Sequence, residues 1–246
     1  MLNVLVNYFD FNVLNCLIKI NATLENKTPL RIGRGSEVKP GGLDLAVERD
    51  YWDRVYIPGS SIKGVMRSLV EKIARAQGLE VCNPLDIASR RLEDEKGPCI
   101  VCGIFGGGGV SKNSIASHVH IFDAYPKEDV KTATRTRVAI DRFRQAARHG
   151  ALFTYEYVPP GIKWSFEMHI YNIDIIDGDE EKDPRIKLLR ALFKYLYEFG
   201  LQVGSMRSVG LGLLTLVDGV IEKYVIEDFR LKPVKKGKLI EEVRKW

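Results

Sequence analysis

Ile57-Pro58-Gly59-Ser60-Ser61-Ile62-Lys63-Gly64-Val65-Met66-Arg67 opens the most regular stretch of the chain. From Ile62 onward, Val65, Met66, Leu69, Val70 and Ile73 recur at helical spacing, which describes a helix with one buried face. The pattern predicts a helix over residues 60–77, capped by Ser60 or Ser61 and stopped by Gly78. The first amides of such a helix lack partners within it, so they and the helix dipole favour an anion. Lys63 and Arg67 share one face beside that start, which suits phosphate. The same residues also describe a plain capped helix with a solvated basic face. The stretch is not a P-loop, because GxxxxGK[ST] is absent.

Outward from this helix, residues 12–24 read as a strand, with Leu14, Cys16, Ile18, Ile20, Ala22 and Leu24 on one face. Residues 118–124, 151–158, 162–172 and 209–217 read as further strands, and Pro159-Pro160-Gly161 as a turn. A second helix is predicted over residues 184–199, with Asp183 as its cap, Pro184 in its first position and Gly200 at its end. Three stretches interrupt this series: residues 29–56, 79–117 and 126–150. Without them the order is strand, helix, strand, strand, helix, strand. That is the α+β order of a ferredoxin-like, RRM-like βαββαβ core. The expectation is one RRM-like domain over residues 1–246, with excursions inserted at those three stretches and a basic tail at 232–246.

Net charge is +5, which permits a nucleic-acid partner without requiring one. No apolar run is long enough to cross a membrane, and the start lacks the marks of a signal peptide. A cytoplasmic protein with no membrane role is expected, in which cysteines are free or metal-bound. Cys82 with Cys99-x-x-Cys102 supplies three of the four ligands of a structural zinc site. His118 and His120 are candidates for the fourth. Three unlinked thiols are the plainer possibility.

Three further stretches can carry chemistry. Val203-Gly204-Ser205-Met206-Arg207-Ser208-Val209-Gly210-Leu211-Gly212 lets backbone approach a ligand closely, with Arg207 able to pair with phosphate. Arg135, Arg137 and Arg142, followed by Arg144 and Arg148, form a basic arm. If residues 134–140 are extended, Arg135 and Arg137 share a face opposite Val138 and Ile140. In Gly41 to Asp50, a carboxylate beside flexible glycines can polarise a ribose hydroxyl or bind a metal, although a loop aspartate commonly just shapes a turn. The four histidines, His118, His120, His149 and His169, show no paired arrangement.

Taken together, Thr28-Pro29-Leu30-Arg31-Ile32-Gly33, the Ile57 to Gly64 run, Val158-Pro159-Pro160-Gly161 and the Gly204 to Gly212 stretch resemble the RAMP superfamily. The likeness is to the backbone subunits of type III CRISPR effector complexes. It implies an RRM-like core with a lid and a thumb hairpin inserted, in a subunit that binds guide RNA, associates with further copies along it and with other subunits, and meets complementary target RNA. Ser60, Ser61, Lys63, Arg67, Arg207 and Ser208 would meet guide phosphates, with Arg31 and Arg34 as further contacts. The hairpin bearing Arg135, Arg137 and Arg142 would push between guide and target. Asp44, with Asp50 as second choice, matches the loop aspartate that cuts target RNA with a divalent metal, Mg or Mn. Zinc on cysteine triplets is likewise implied by the resemblance. Relatives often carry His where this chain has Arg31, and arginine cannot act as a base near neutral pH. Two alternatives stand beside this: a stand-alone RAMP endoribonuclease that processes precursor guide RNA without metal, and a zinc-stabilised, non-catalytic scaffold.

Overall fold

The computed structural model describes residues 8–33, 45–83, 97–107 and 114–246. Along the chain the elements are β1 (Leu17–Asn26), α1 (Gly59–Ala76), α2 (Cys102–Phe105), β2 (Val119–Ile121), β3 (Ala133–Asp141), β4 (Ala146–Tyr157) and β5 (Lys163–Tyr171). They are followed by α3 (Pro184–Glu198), β6 (Leu201–Gln202), β7 (Leu213–Glu227), β8 (Arg230–Lys238) and α4 (Leu239–Lys245). The architecture is α+β, with helices beside antiparallel sheet.

β1 is the centre of the main sheet because both of its edges are paired, to β5 and to β7, each antiparallel. The order is β2-β5-β1-β7-β6, and β8 also pairs β7. Alternation does the sorting. Ile18, Ile20 and Leu24 of β1 and Trp164, Phe166, Met168 and Ile170 of β5 are buried and share one core with α1 and α3. The helices contribute Ile62, Met66 and Val70 from α1, and Leu189, Leu192 and Phe193 from α3. The opposite sheet face carries polar groups, among them Lys19 paired with Glu167 at 3.0 Å.

Both predicted helices are present, and α3 starts as expected: the Asp183 carboxylate accepts from the Arg185 amide, with Pro184 next. The start of α1 differs. Pro58 is its N-cap and neither Ser60 nor Ser61 caps it, because Gly59 is already helical and its amide donates to Asp123 Oδ1 at 2.8 Å. Gly59 is required there, since a Cβ would lie 2.2 Å from the Ile121 carbonyl oxygen of β2.

Three further expectations shift. β4 joins β3 in a separate two-stranded sheet rather than the main one. β7 runs ten residues past the strand expected at 209–217. Residues 232–246, expected as a basic tail, are instead most of β8 and all of α4, held down by buried Leu239 and Val243. Lysines on the exposed side of β8 hid that pairing, because an edge strand with one wet face keeps its charges.

Candidate nucleic-acid interface

The glycine-rich stretch after β6 is clamped onto the segment after β1. The Gly212 amide donates to the Pro29 carbonyl at 2.9 Å and the Ser205 amide to the Arg31 carbonyl at 2.9 Å. Gly204 and Gly212 sit at φ +87 and +85, where a Cβ would press on the Arg31 and Val203 carbonyl oxygens at 2.3 and 2.0 Å. Only glycine tolerates both the angle and the approach. Between them Met206 is left-handed, Arg207–Val209 make one turn of 3-10 helix, and Gly210 is left-handed again. Among the described residues the amides of Arg207 and Ser208 have no backbone acceptor. Both side chains are exposed. Successive free amides in such a turn make an anion-binding concavity.

Arg31 is beneath this loop, not on it. It is 6% exposed, its Nη1 donates to Ser205 Oγ at 2.6 Å, and its guanidinium lies against Gly33. Burial pulls its pKa down, partly offset by Glu156. Arg31 thus shapes the loop from below. Arg34 and Asp44 lie outside the described residues.

At the start of α1, the amides are mostly used internally: Gly59 donates to Asp123, and Ser61 and Ile62 donate to the Pro58 carbonyl. Ser60 is exposed and Ser61 half-buried. Lys63 donates to Ser117 Oγ at 2.8 Å, and burial, then Arg67, lower its pKa. Arg67 donates to Glu71 at 3.0 Å, to the Gly106 carbonyl at 2.7 Å and to Cys102 Sγ at 3.3 Å. The structure therefore ties this basic pair to the cysteine-bearing segment.

Cys82 Sγ is 3.3 Å from Cys102 Sγ and 3.5 Å from Cys99 Sγ. These thiols are close enough to hold one metal ion, with all ligand atoms within 4.8 Å of one another. Hydrogen bonds from Cys102 and then Cys82 hold the Cys99 thiol well below its ordinary range, the thiolate character a metal needs. His118 is not part of the group among the described residues: its Nε2 is 2.7 Å from Asp10 Oδ1 and 3.3 Å from Arg185 Nη1. His120 lies on the open sheet face beside the Tyr171 ring. Cys16 is buried immediately before β1, where desolvation pushes its thiol up to about 11.

β3 and β4 form the arginine hairpin. Arg135 lies over the Tyr157 ring and Arg137 over the Tyr155 ring, at 5.5 and 5.2 Å. Arg142 is exposed at the tip beside Phe143, which is 100% exposed. At the hairpin base Glu156, unremarkable in the sequence, is a buried knot: it accepts from Arg49 at 2.7 Å, from the Val47 amide at 3.0 Å and from Thr132. These bonds hold its carboxyl below the usual range against the desolvation that would raise it. Leu45 bridges Tyr155, so the segment beginning immediately after Asp44 is fixed to this base. Asp50 is a turn residue: its carboxylate accepts from the amides of Trp52 and Arg54 and pairs with the Arg54 guanidinium at 2.7 Å.

The family profile of the RAMP superfamily matches residues 23–215. The CRISPR system Cms endoribonuclease Csm3 of Methanocaldococcus jannaschii is 32% identical over 161 residues, 63% of this chain and 62% of that protein. The protein of the same name from Enterococcus italicus is 32% identical over 173 residues, 65% of this chain and 73% of that protein. A third, from Methanothermobacter thermautotrophicus, is 40% identical over 90 residues, 36% of this chain and 32% of that protein. The match thus spans about three fifths of the Methanocaldococcus relative's length.

Proposed function

The chain belongs to the RAMP superfamily, and from that premise we propose that it is a guide-RNA-binding backbone subunit of a type III CRISPR interference complex. It stacks along the guide with other copies, meets further subunits of the complex, and cleaves complementary target RNA in the cytoplasm. The observation that carries this is the glycine loop: Arg31 and Ser205, 174 residues apart in sequence, lock it so that Arg207 and Ser208 face outward with amides that have no backbone acceptor among the described residues. Backbone amides and one arginine recognise phosphate, not base identity, which is what a guide of any sequence demands.

Other features support the same reading. Counting only β1, β2, β5 and β7, the sheet order and the intervening helices suit a ferredoxin-like core, a single domain whose insertions fall at 29–56, 79–117 and 126–150. The hairpin of β3 and β4 projects Arg142 and Phe143 as a wedge between guide and target. Ser60, with Ser61 and Lys63 behind it, offers a second phosphate contact, while Arg67 braces the cysteine site. Cys82, Cys99 and Cys102 suit a structural zinc ion. The relatives' name, endoribonuclease, supports cleavage. Asp50 is committed to its turn, which leaves Asp44 as the carboxylate to bet on. A divalent ion, Mg or Mn, would neutralise charge at the scissile phosphate. Asp44 would help hold it or draw on the ribose hydroxyl.

A second reading has one observation in its favour. His120 and His169 are register partners across β2 and β5, the pairing that sequence alone did not show, and both lie beside Tyr171. Two imidazoles could serve metal-free acid–base cleavage by the isolated protein. The test separates the two. In a reconstituted complex Asp44→Ala should abolish evenly spaced target cuts and leave assembly intact. Unchanged cuts would sink the Asp44 assignment. Cleavage by the isolated protein in chelator, lost in His169→Ala, would select the second reading instead.

A further inference from the structure

Lys63, Arg67, Glu71 and Arg75 recur every four residues, so α1 carries them as one stripe along its side. The last three are joined to one another: Arg67 Nε donates to Glu71 Oε1 at 3.0 Å, and Arg75 Nη1 lies 3.9 Å from Glu71 Oε2. Both arginines then reach off the helix onto the cysteine-bearing segments. Arg67 Nη1 donates to the Gly106 carbonyl at 2.7 Å and its Nη2 to Cys102 Sγ at 3.3 Å. Two turns further along, Arg75 Nη2 donates to the Cys82 carbonyl at 3.4 Å. The stripe thus holds both segments where Cys82 and Cys102 meet, with their sulfurs 3.3 Å apart.

A basic helix face turned to solvent or to phosphate is built differently. Each of the three nitrogens of Arg67 already donates within the fold, and its side chain is 20% exposed. Glu71 sits between the two arginines, where a carboxylate repels a phosphate. What Arg67 faces is sulfur. A divalent ion on Cys82, Cys99 and Cys102 as thiolates would leave one negative charge on the group, in surroundings where Cys102 is 1% exposed and Cys82 8%. Charge is costly there unless an opposite charge touches it. Arg67 is such a charge, with Glu71 and Arg75 balancing each other behind it. Partners of this kind orient metal ligands and set how tightly the ion is held.

We propose that Arg67 is a positioning residue of the cysteine site: it donates to a ligand sulfur, balances the charge of the loaded site and, with Arg75, fixes both cysteine segments to α1. The inference rests on the zinc reading above, and it takes Arg67 out of the RNA contacts. The full chain, loaded with zinc, is titrated with the chromogenic chelator pyridylazoresorcinol. Arg67→Gln should weaken zinc retention by about tenfold. Arg67→Lys should recover part of this, because an ammonium keeps the charge without the fork. Arg75→Gln should weaken retention by a smaller factor, since it meets a carbonyl and not a sulfur. Cobalt in place of zinc reads the sulfur directly. Losing the N–H to sulfur bond in Arg67→Gln should move the thiolate-to-cobalt absorption to longer wavelength, while Arg75→Gln leaves it in place, a division that general loosening would not produce. Salt titrations on RNA of ~40 nucleotides should give Arg67→Gln the parent's slope. Zinc retention and a cobalt spectrum both unmoved in Arg67→Gln would overturn the inference, and a slope shallower by about 0.7 would put Arg67 back on a phosphate. If the parent takes up neither metal, the zinc reading itself falls and the inference with it. If Arg67→Gln does not fold, the cobalt spectrum of Arg67→Lys and the zinc retention of Arg75→Gln decide, and parent values for both would overturn the inference.

Discussion

Buried charge without an opposite charge is expensive, so the few instances in a fold reveal what a residue is for. Arg31 is one. Among the described residues it has no ion pair, its Nε has no partner, and its one hydrogen bond goes to a serine on the loop it supports. Its sequence neighbourhood suggested an RNA contact, whereas its position explains how the glycine loop keeps its shape. His118 is a buried titratable group of another kind, with a carboxylate and a guanidinium at one ring nitrogen. Its ring is wholly buried, Nδ1 has no partner among the described residues, and Nε2 meets both Asp10 and Arg185. Burial is the largest influence and lowers its pKa; the Asp10 hydrogen bond opposes this, and the Arg185 charge adds to the lowering. The folded pKa therefore lies below the unfolded value of about 6.5. Unfolded chains bind the proton more readily, so this group's stability is full above that value and is lost as pH falls through the folded pKa. Each unit of separation is worth about 1.4 kcal/mol. Melting of the parent should drop between pH 7.5 and 5, and His118→Gln, compared with the parent at both pH values, should flatten part of that drop. Equal slopes would mean that His118 is charged in the fold.

Among the elements, those with a complete local pattern were the ones legible in advance. α1 and α3 each carry an apolar stripe, and α3 also has its aspartate cap and proline, so one window of sequence decides them. β4 was legible as a strand but not as a member of the hairpin, because alternation describes a half-buried strand without naming its partner. β8 and α4 were hidden by their lysines. The serine cap of α1 failed because Asp123, 64 residues away, reaches the Gly59 amide first. Similarly, the clamp of the glycine loop depends on the Arg31–Ser205 bond, which no local window contains. The hairpin itself permits a direct test of modularity. Among the described residues β3 and β4 pair only with each other as strands, and Val138, Ile140 and Leu152 on them and Phe143 in their turn are exposed. Little of the core is at stake beyond Arg137 and Phe153. Replacing residues 138–152 with Asn-Gly should shift melting by only a few degrees, as for a loss near 1 kcal/mol in a chain of this size. The same variant should lose ordered cleavage in a reconstituted complex if the tip separates guide from target. A collapse in melting would show that the tip packs on the core.

For the whole molecule, the charge excess is small, 37 basic against 32 acidic residues, so what matters is which charges remain free. The C-terminal lysines are largely matched at home: Lys235 with Asp177, Lys236 with Glu222 and Lys238 with Glu241. The hairpin arginines are not. Among the described residues no ion pair involves Arg135, Arg137, Arg142, Arg144, Arg148 or Arg207. Among the described residues no helix is long and apolar enough to cross a membrane. Unpaired arginines on a projecting element make a quantitative demand on RNA binding. Each phosphate neutralised on a single strand contributes about −0.7 to the slope of log affinity against log salt. Changing Arg142, Arg144 and Arg148 together to Gln should therefore make the slope shallower by about 2 if each meets a phosphate. Changing Lys235, Lys236 and Lys238 to Gln should leave it where it was, since those charges are already neutralised within the fold. Titrations on RNA of ~40 nucleotides, long enough for several copies, would also show cooperative binding if copies stack along the strand. A slope that responds to the lysines and not to the arginines would place the RNA on the β8 edge of the sheet and away from the hairpin.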